Sequence, residues 1–417
     1  MFHKSNCLIA QSGGPTVAIN ASLAGIIEEA LNSPQIDTIY GALNGILGVL
    51  DEKLINLSNT FSKDKEALDL LKNTPSMYLG SCRYKLPEAG DADSDYLEIF
   101  KIFQKYNIKY FFYIGGNDSM DTVSKLSKYA KKINFDISII GIPKTIDNDL
   151  RHIDHTPGYG SAAKYISTSI LEIAHDAYIY DIQSVIIVEI MGRNAGWLTA
   201  ASALARNEYN TAPHLIYLPE LPFSTEQFIT DVQKELSTRK QVIVAVSEGI
   251  KDSTGEYISA KSGQVDQFGH VMLSGTGKYL ENLVKEKIAC KVRSIELNVL
   301  QRCATHISSL TDINESCMLG KTSVPLALEG CSGRMVLLRR ESNSPYTVSY
   351  DSVSIDEIAN KEKYVPVDWI SESKNDITEE FMEYMRPLIQ GEPKQSYKNG
   401  LPSYLSVNHL IHDSNQA

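Results

Sequence analysis

The sequence lacks the marks of several large classes of protein. It has no basic excess: 51 Asp and Glu residues outnumber 40 Lys and Arg, for a net charge of -11. A general nucleic-acid binder, or a protein docked on an anionic membrane, needs a positive surface, so neither is expected. An anionic small molecule is still compatible with this balance where local arginines and lysines override the mean. No run of about eighteen apolar residues occurs, so no membrane-spanning helix is expected. The start, MFHKSNCLIAQSGG, runs into a core-like pattern without the apolar stretch of a signal peptide, and a cytoplasmic protein is expected. The six cysteines (Cys7, Cys82, Cys290, Cys303, Cys317, Cys331) form no CxxC pair and read as reduced thiols. The nine histidines have no HExxH or comparable spacing, which argues against a histidine-built metal site. No short internal repeat stands out.

What is present is an alternation. At 417 residues and 43% hydrophobic content, the chain is long enough for two packed lobes with sizeable cores. CLIAQSGG, YFFYIGG, ISIIGIPK, SVIIVEIMGR, HLIYLPE and QVIVAVSEG read as buried strands that end in a polar or glycine turn. Such near-continuous apolar runs mark parallel strands covered on both faces. Helix-period segments follow them: Met120, Val123, Leu126 and Ala130 fall on one face, and AGWLTAASALA is helix-prone. The expected class is α/β, with mostly parallel, doubly wound sheets. From about residue 330, GRMVLLRR and PYTVSYD look like later strands, ITEEFMEYMRPLIQGE looks helical, and the last stretch, 393–417, is polar and expected to be peripheral or poorly ordered.

Ligands of such sheets bind at the carboxyl ends of strands, so the turns there are the place to look for chemistry. In AQSGGPTVAINASLAGIIEEAL, Gly13 and Gly14 let the backbone approach an anion at a helix start, although an ordinary tight turn has the same pattern. The stretch is neither GxGxxG nor GxxxxGK[ST], and those nucleotide readings lose support. FFYIGGNDSMDTVSKLSKYA has the same cradle shape, yet a carboxylate, Asp118, stands where a phosphate would sit. In GIPKTIDNDL, Asp147 and Asp149 can divide the work of proton acceptor and hydrogen-bond or metal partner. Lys144 and Thr145 are donors suited to a phosphoryl group, and a solvated Asx-rich turn is the plain alternative. VEIMGRNAGW sets Arg193 after a strand, and a guanidinium fork matches two phosphate oxygens. Arg83, Arg293 and Arg302 are further basic candidates, although any single arginine is more often a surface or ion-pair residue. Glu248 in VSEGIK can accept from a sugar hydroxyl or cap a turn. Company favours chemistry, because several strand ends carry the same mix of glycine and polar groups.

SGG, IGGNDS, PKTIDND, VEIMGRNAGW, VSEGI and VLQR come in the order and spacing of the phosphofructokinase family, which the sequence resembles over roughly residues 5–350. PKTIDND with MGR is the most specific part, and the chain looks like the pyrophosphate-dependent branch. The resemblance implies two lobes with the active site in the cleft between them. A donor lobe would span 1–155 with a return segment near 303–355, a sugar-phosphate lobe 156–302, and a C-terminal helical segment and polar tail 356–417. It implies Mg²⁺ as cofactor, pyrophosphate and fructose 6-phosphate as ligands, and a homodimer or homotetramer. Residue by residue, Asp147 resembles the base that takes the proton of the sugar's C1 hydroxyl, flanked by Thr145 and by Asp149, which helps organise Mg²⁺. Met191, Gly192 and Arg193 look like the sugar-phosphate contact, with Arg193 also steadying the transferring phosphoryl. Glu248 looks like a sugar-hydroxyl acceptor, and Arg293 and Arg302 like a clamp on the sugar's existing phosphate. Arg83 is similar to an arginine bridging donor and transferring phosphates, and Gly13 and Gly14 resemble the donor-phosphate turn.

The departures carry information too. ATP-using relatives typically read GGDGS where this chain has Gly115 to Ser119, so Asn117 implies a weaker or water-mediated metal contact. They also read GGDxxGMN where this chain has GGPTVAIN, and glycine where Lys144 stands. Ser184 stands where many have an arginine that reaches a neighbouring subunit's site, and Val299 where many have a histidine in the sugar-phosphate site. A nucleotide would thread its α-phosphate beside Asp118, a repulsion of roughly a few kcal/mol, while Lys144 would hold a shorter donor. The pair thus reads as selection for pyrophosphate by a built-in clash. The other readings are a helix cap for Asp118, an ATP-dependent enzyme with unusual turns, and a catalytically silent sugar-phosphate-binding subunit, against which the presence of Asp147 argues.

Overall fold

Runs of β-branched and aromatic residues build the strands, because a strand covered on both faces has no polar side to show. The computed structural model describes residues 4–62, 64–90, 93–262 and 275–406. The strands are β1 (Ser5–Gln11), β2 (Ile36–Ala42), β3 (Leu54–Asn56), β4 (Ile108–Gly115), β5 (Ser138–Pro143), β6 (Ser184–Ile190), β7 (Leu215–Tyr217), β8 (Gln241–Ser247), β9 (Lys291–Glu296), β10 (Arg334–Asn343) and β11 (Tyr346–Ser354).

They form two main sheets. The seven-stranded sheet has the order β11-β10-β5-β4-β1-β2-β3, parallel except for the antiparallel edges β3 and β11. The four-stranded sheet, β7-β8-β6-β9, is parallel throughout. Late strands β10 and β11 thus return to the sheet built by the first part of the chain. One core surrounds the larger sheet, and two others cover the faces of the smaller one.

The six apolar runs of the first 250 residues all become strands. β2 and β9 carry no such signal, because IDTIYGA and KVRSIE leave polar side chains partly exposed. The helix Asn117–Lys132 buries Met120, Val123, Leu126 and Ala130, as its period predicts. The other two helical readings shorten. AGWLTAASALA gives Trp197–Ala201 and then a 3₁₀ turn, and the C-terminal helix stops at Met385, just before Pro387 enters a 3₁₀ turn.

The described part of the polar tail is more firmly held than expected. Tyr404 and Thr305 share a hydroxyl hydrogen bond of 2.6 Å, and the Leu405 N–H donates to Thr74 Oγ1 at 3.0 Å. Residues 407–417 lie outside the described residues. Among the described residues no helix is long and apolar enough to cross a membrane, and all six cysteines are free.

Candidate active site

Six strand ends meet between the two sheets. The turns after β1, β4 and β5, and the residues after β6, β8 and β9, line a cleft of about 770 Å³. Gly13, Gly14, Arg83, Asn117, Asp118, Lys144, Thr145, Asp147, Asp149, Met191, Arg193, Glu248 and Arg302 all belong to its wall. Gly192 lies just behind it, its N–H donating to Glu248 Oε1 at 3.3 Å.

On the donor side, the turn after β1 is shaped around a lysine. Gly13 has φ +82°, and a Cβ there would sit 3.1 Å from Lys144 Nζ, so a side chain would be both strained and crowded. Lys144 is 2% exposed and donates to Gly14 O at 2.6 Å. Burial pulls its pKa down to about 8, against the opposing pull of Asp147 and Asp149, with Arg302 lowering it further. An ammonium has three N–H groups, and this single bond leaves two for a ligand. Arg302 reaches the same turn: a Cβ on Gly14 would lie 3.5 Å from its Nη1, and its buried Nε has no partner. The arginine expected on the sugar phosphate therefore also borders the donor turn.

The helix after β4 begins at Gly116, which has no side chain to cap it, and Asp118 stands in its first turn, exposed on the cleft wall. Asn117 does something unforeseen. Its Oδ1 accepts from the Asn360 N–H at 2.9 Å and its Nδ2 donates to Lys361 O at 3.1 Å. Both ends of the amide are thereby engaged on protein, and Oδ1 keeps a second lone pair.

The loop after β5 is folded from inside. Asn148 adopts φ +52°, a left-handed conformation that asparagine tolerates. Its side chain turns inward, accepting from the Thr156 N–H and from Lys363 Nζ, both at 3.1 Å, and donating to the Tyr384 hydroxyl at 3.1 Å. With the middle residue held inside, Asp147 and Asp149 on either side are presented to the cleft. The Asp147 N–H donates to Thr145 Oγ1 at 3.1 Å and the Lys363 N–H to Asp149 O at 2.7 Å. Burial, and then Glu248, hold the Asp147 carboxyl above the usual range; burial, and then Asp147, do the same to Asp149. Asp149 Oδ1 is buried without a partner. Farther along the loop, His155 bonds Glu315 at 2.6 Å and Asp154 at 2.7 Å. Burial disfavours its charge, but the two carboxylates prevail and push its pKa up to about 9.

On the sugar side, the Met191 N–H donates to Gln301 Oε1 at 3.2 Å, and Ser247 Oγ donates to Gly192 O at 2.6 Å, fixing the turn that carries Arg193. Two expected residues fall outside the cleft of this chain. Arg293 sits in mid-strand on β9, paired with Ile186, three residues short of the strand's end, and is exposed in a separate groove with Tyr180, Ser184 and Lys291. Val299 is 50% exposed and likewise lines none of the cleft. Other residues went unforeseen: Asn194, Asn360, Glu362 and Tyr364 line the cleft. Asn194 stood in view inside MGRN, whereas ANKEKY (359–364) carries neither an apolar run nor a glycine turn.

Cations from both sheets and a desolvated carboxylate facing one polar cleft suit transfer of a phosphoryl group to a hydroxyl, which needs positioning, charge neutralisation and a base. Comparison with known proteins agrees. The family model described as phosphofructokinase matches residues 6–325. The chain is 40% identical over 405 residues, 96% of each chain, to a pyrophosphate--fructose 6-phosphate 1-phosphotransferase of Methylococcus capsulatus. It is 38% identical to a protein of the same name from Halomonas elongata, over 95% of this chain and 94% of that one. The crystal structure of a pyrophosphate-dependent phosphofructokinase from Marinobacter aquaeolei superposes with a TM-score of 0.86 at 37% identity, covering 96% of this chain and 95% of that one. With its motifs on converging strand ends, as that family's pattern implied, the chain belongs to the phosphofructokinase family.

Proposed function

We propose that the chain is a pyrophosphate-dependent 6-phosphofructokinase. It transfers a phosphoryl group reversibly from diphosphate to the C1 hydroxyl of fructose 6-phosphate, giving fructose 1,6-bisphosphate and phosphate. The carrying observation is the buried Lys144 ammonium on the cleft wall, with a single protein partner, in the same cleft as an exposed Asp118 in the first turn of the helix after β4.

Asp147 accepts the hydroxyl proton as the new O–P bond forms and the P–O–P bridge breaks, and the leaving phosphate keeps the bridging oxygen. A carboxyl held above its ordinary range by burial is a stronger base for this step than a solvated one. Lys144, Arg193 and Arg302 neutralise charge on the transferring group. Glu248 orients a sugar hydroxyl and Arg83 lies along the donor. Asp118 opposes the third phosphate that a nucleotide would bring.

The acidic groups fit Mg²⁺. Asp149 has an unpartnered buried oxygen beside a second carboxylate, and no group of three or more acidic, histidine or cysteine ligands occurs among the described residues. That suits an ion carried largely by the donor's phosphates. Bound there, Mg²⁺ would neutralise phosphate charge. A homodimer or homotetramer is the assembly we propose, with Arg293, which lies outside its own cleft, free to serve a neighbour's sugar phosphate. A cytoplasmic location fits the six free thiols.

The test is kcat/KM with fructose 6-phosphate for pyrophosphate and for ATP, in the wild type and in Asp118→Gly. Pyrophosphate should be preferred by at least about a hundredfold, and Asp118→Gly should narrow the ratio by about tenfold. A wild type that prefers ATP, or one that turns over neither donor, overturns the proposal.

A further inference from the structure

After β11, residues 356–365 run along the cleft as an irregular strap. It is fastened beyond the ends of four strands. Beyond β4, Asn117 bonds the Asn360 N–H and Lys361 O, Asn360 Nδ2 donates to Asp121 at 3.3 Å, and Asp356 accepts from Ser124 Oγ at 2.9 Å and pairs with Lys128 at 2.8 Å. Beyond β5, Lys363 holds Asp149 O with its backbone and Asn148, Ile153 and Asp154 with its ammonium. Beyond β6, Asn194 Nδ2 donates to Glu362 at 3.1 Å and Trp197 Nε1 to Lys363 O at 3.0 Å. Beyond β7, Glu220 accepts from the Val365 N–H at 3.0 Å. The strap is thus tied to both sheets.

Its residues alternate. Asn360, Glu362 and Tyr364 line the cleft, while Lys363 between them anchors inward. The Glu362 carboxylate cannot swing freely, because Asn194 holds it from one side and the Tyr364 hydroxyl donates to it at 2.7 Å. It lies close enough to Asp149 to oppose that group's ionisation.

We infer that this strap is a second determinant of donor choice. It forms a fixed wall of the cleft from the Asn117 turn of the larger sheet to the Asn194 turn of the smaller one, and its Glu362 carboxylate, with Asp118, opposes any donor that is longer and more charged than pyrophosphate. The inference rests on the pyrophosphate reading above. It also explains the asparagine in IGGNDS. An aspartate at 117 would still accept from the Asn360 N–H, but it would have no proton for Lys361 O and would turn a carboxylate oxygen toward that carbonyl. Asn117 is therefore a positioning residue for the wall.

The test compares wild type, Asn117→Asp and Glu362→Gln. It measures calorimetric affinities for MgATP and Mg-pyrophosphate, kcat/KM for both donors, and hydrogen exchange of the amides at 358–365. Asn117→Asp should speed exchange across the strap by at least about tenfold while the amides of β1 and β4 stay protected. It should also raise ATP affinity relative to pyrophosphate by about fivefold or more. Glu362→Gln should raise the same ratio with strap protection intact, and it decides the matter if Asn117→Asp fails to fold. If the wild type prefers pyrophosphate and both donor ratios stay at the wild-type value, the strap inference falls alone. A wild type that prefers ATP overturns the pyrophosphate reading and the inference with it.

Discussion

Two lysines flank the aspartate loop, and burial holds both near the same acidity, about 8. They differ in what their ammonium groups touch. Lys363 gives its N–H groups to Asn148 Oδ1, Ile153 O and Asp154 O at 3.1, 3.2 and 2.8 Å, and its Nζ lies 5.1 Å from the Trp197 ring centroid. Lys144 makes one bond, to Gly14 O. An ammonium has three protons to give, so one lysine is saturated and the other is not. A buried cation short of partners burdens the fold. Its presence makes sense where a ligand completes its shell. Lys363 holds the loop in shape, and on the function proposed above the open valences of Lys144 belong to the donor.

The sharpest way to break this comparison is to remove the unsaturated lysine. Lys144→Met should lower kcat/KM for pyrophosphate by about a thousandfold, because a preorganised donor at the transferring charge is lost. The melting temperature should hold or rise, since the variant no longer buries an under-partnered charge. Steady-state kinetics beside a thermal melt reads both. A variant that melts well below wild type would make Lys144 structural and erase the distinction.

Lys363→Met should show the opposite division. Three acceptors inside the loop lose their donor, so unfolding free energy should fall by about 3 kcal/mol. The fraction still folded should lose only about tenfold in kcat, through a less exact placement of Asp147 and Asp149. A urea titration with activity measured at low urea separates the two. A loss of activity as large as that of Lys144→Met, with normal stability, would put Lys363 in the chemistry.

The same contrast marks what could be read from the residues alone. Lys144 was legible because it follows an apolar run and sits beside DND, and parallel strands deliver their carboxyl ends to one place. The turns after β1, β4, β6 and β8 were legible for that reason too. Lys363 was not, because ANKEKY has the composition of a solvated loop and its partners lie more than two hundred residues away in the chain. Asn148 was hidden between two aspartates that draw attention to themselves, and its inward turn depends on Tyr384 and Lys363. Asn117 could be noticed as a departure, but its bond to Lys361 O, 244 residues away, could not. Arg293 carried the right residue type in a familiar spacing, and only the register of β9 shows that it stands too early in the strand to enter the cleft. Patterns along the chain thus disclosed what strand ends contribute, and contacts between distant segments decided the rest.

The smallest expected effect is also the most direct probe of the unsaturated ammonium. Lys144, with an acidity near 8, lies below the ordinary lysine value of 10.5. It is charged below that pH and neutral above it, so its attraction for pyrophosphate is full in neutral solution and is lost as the pH rises through 8. Between pH 8 and 9 the charged fraction falls roughly fivefold, and KM for pyrophosphate should rise by about that factor. Pyrophosphate and Mg²⁺ have pH dependences of their own, so the informative quantity is a ratio. Lys144→Arg keeps its charge throughout this range. Its KM will be higher than the wild-type value at pH 7, because the fork fits poorly beside Gly13, but the ratio of variant to wild-type KM should fall by about fivefold from pH 8 to 9. Lys363 has the same depressed pKa but lines none of the cleft, so Lys363→Arg should leave the pH profile of KM parallel to that of wild type. A flat ratio for Lys144→Arg would mean that the ammonium does not meet the donor, and the two lysines would then differ only in how many partners the fold supplies.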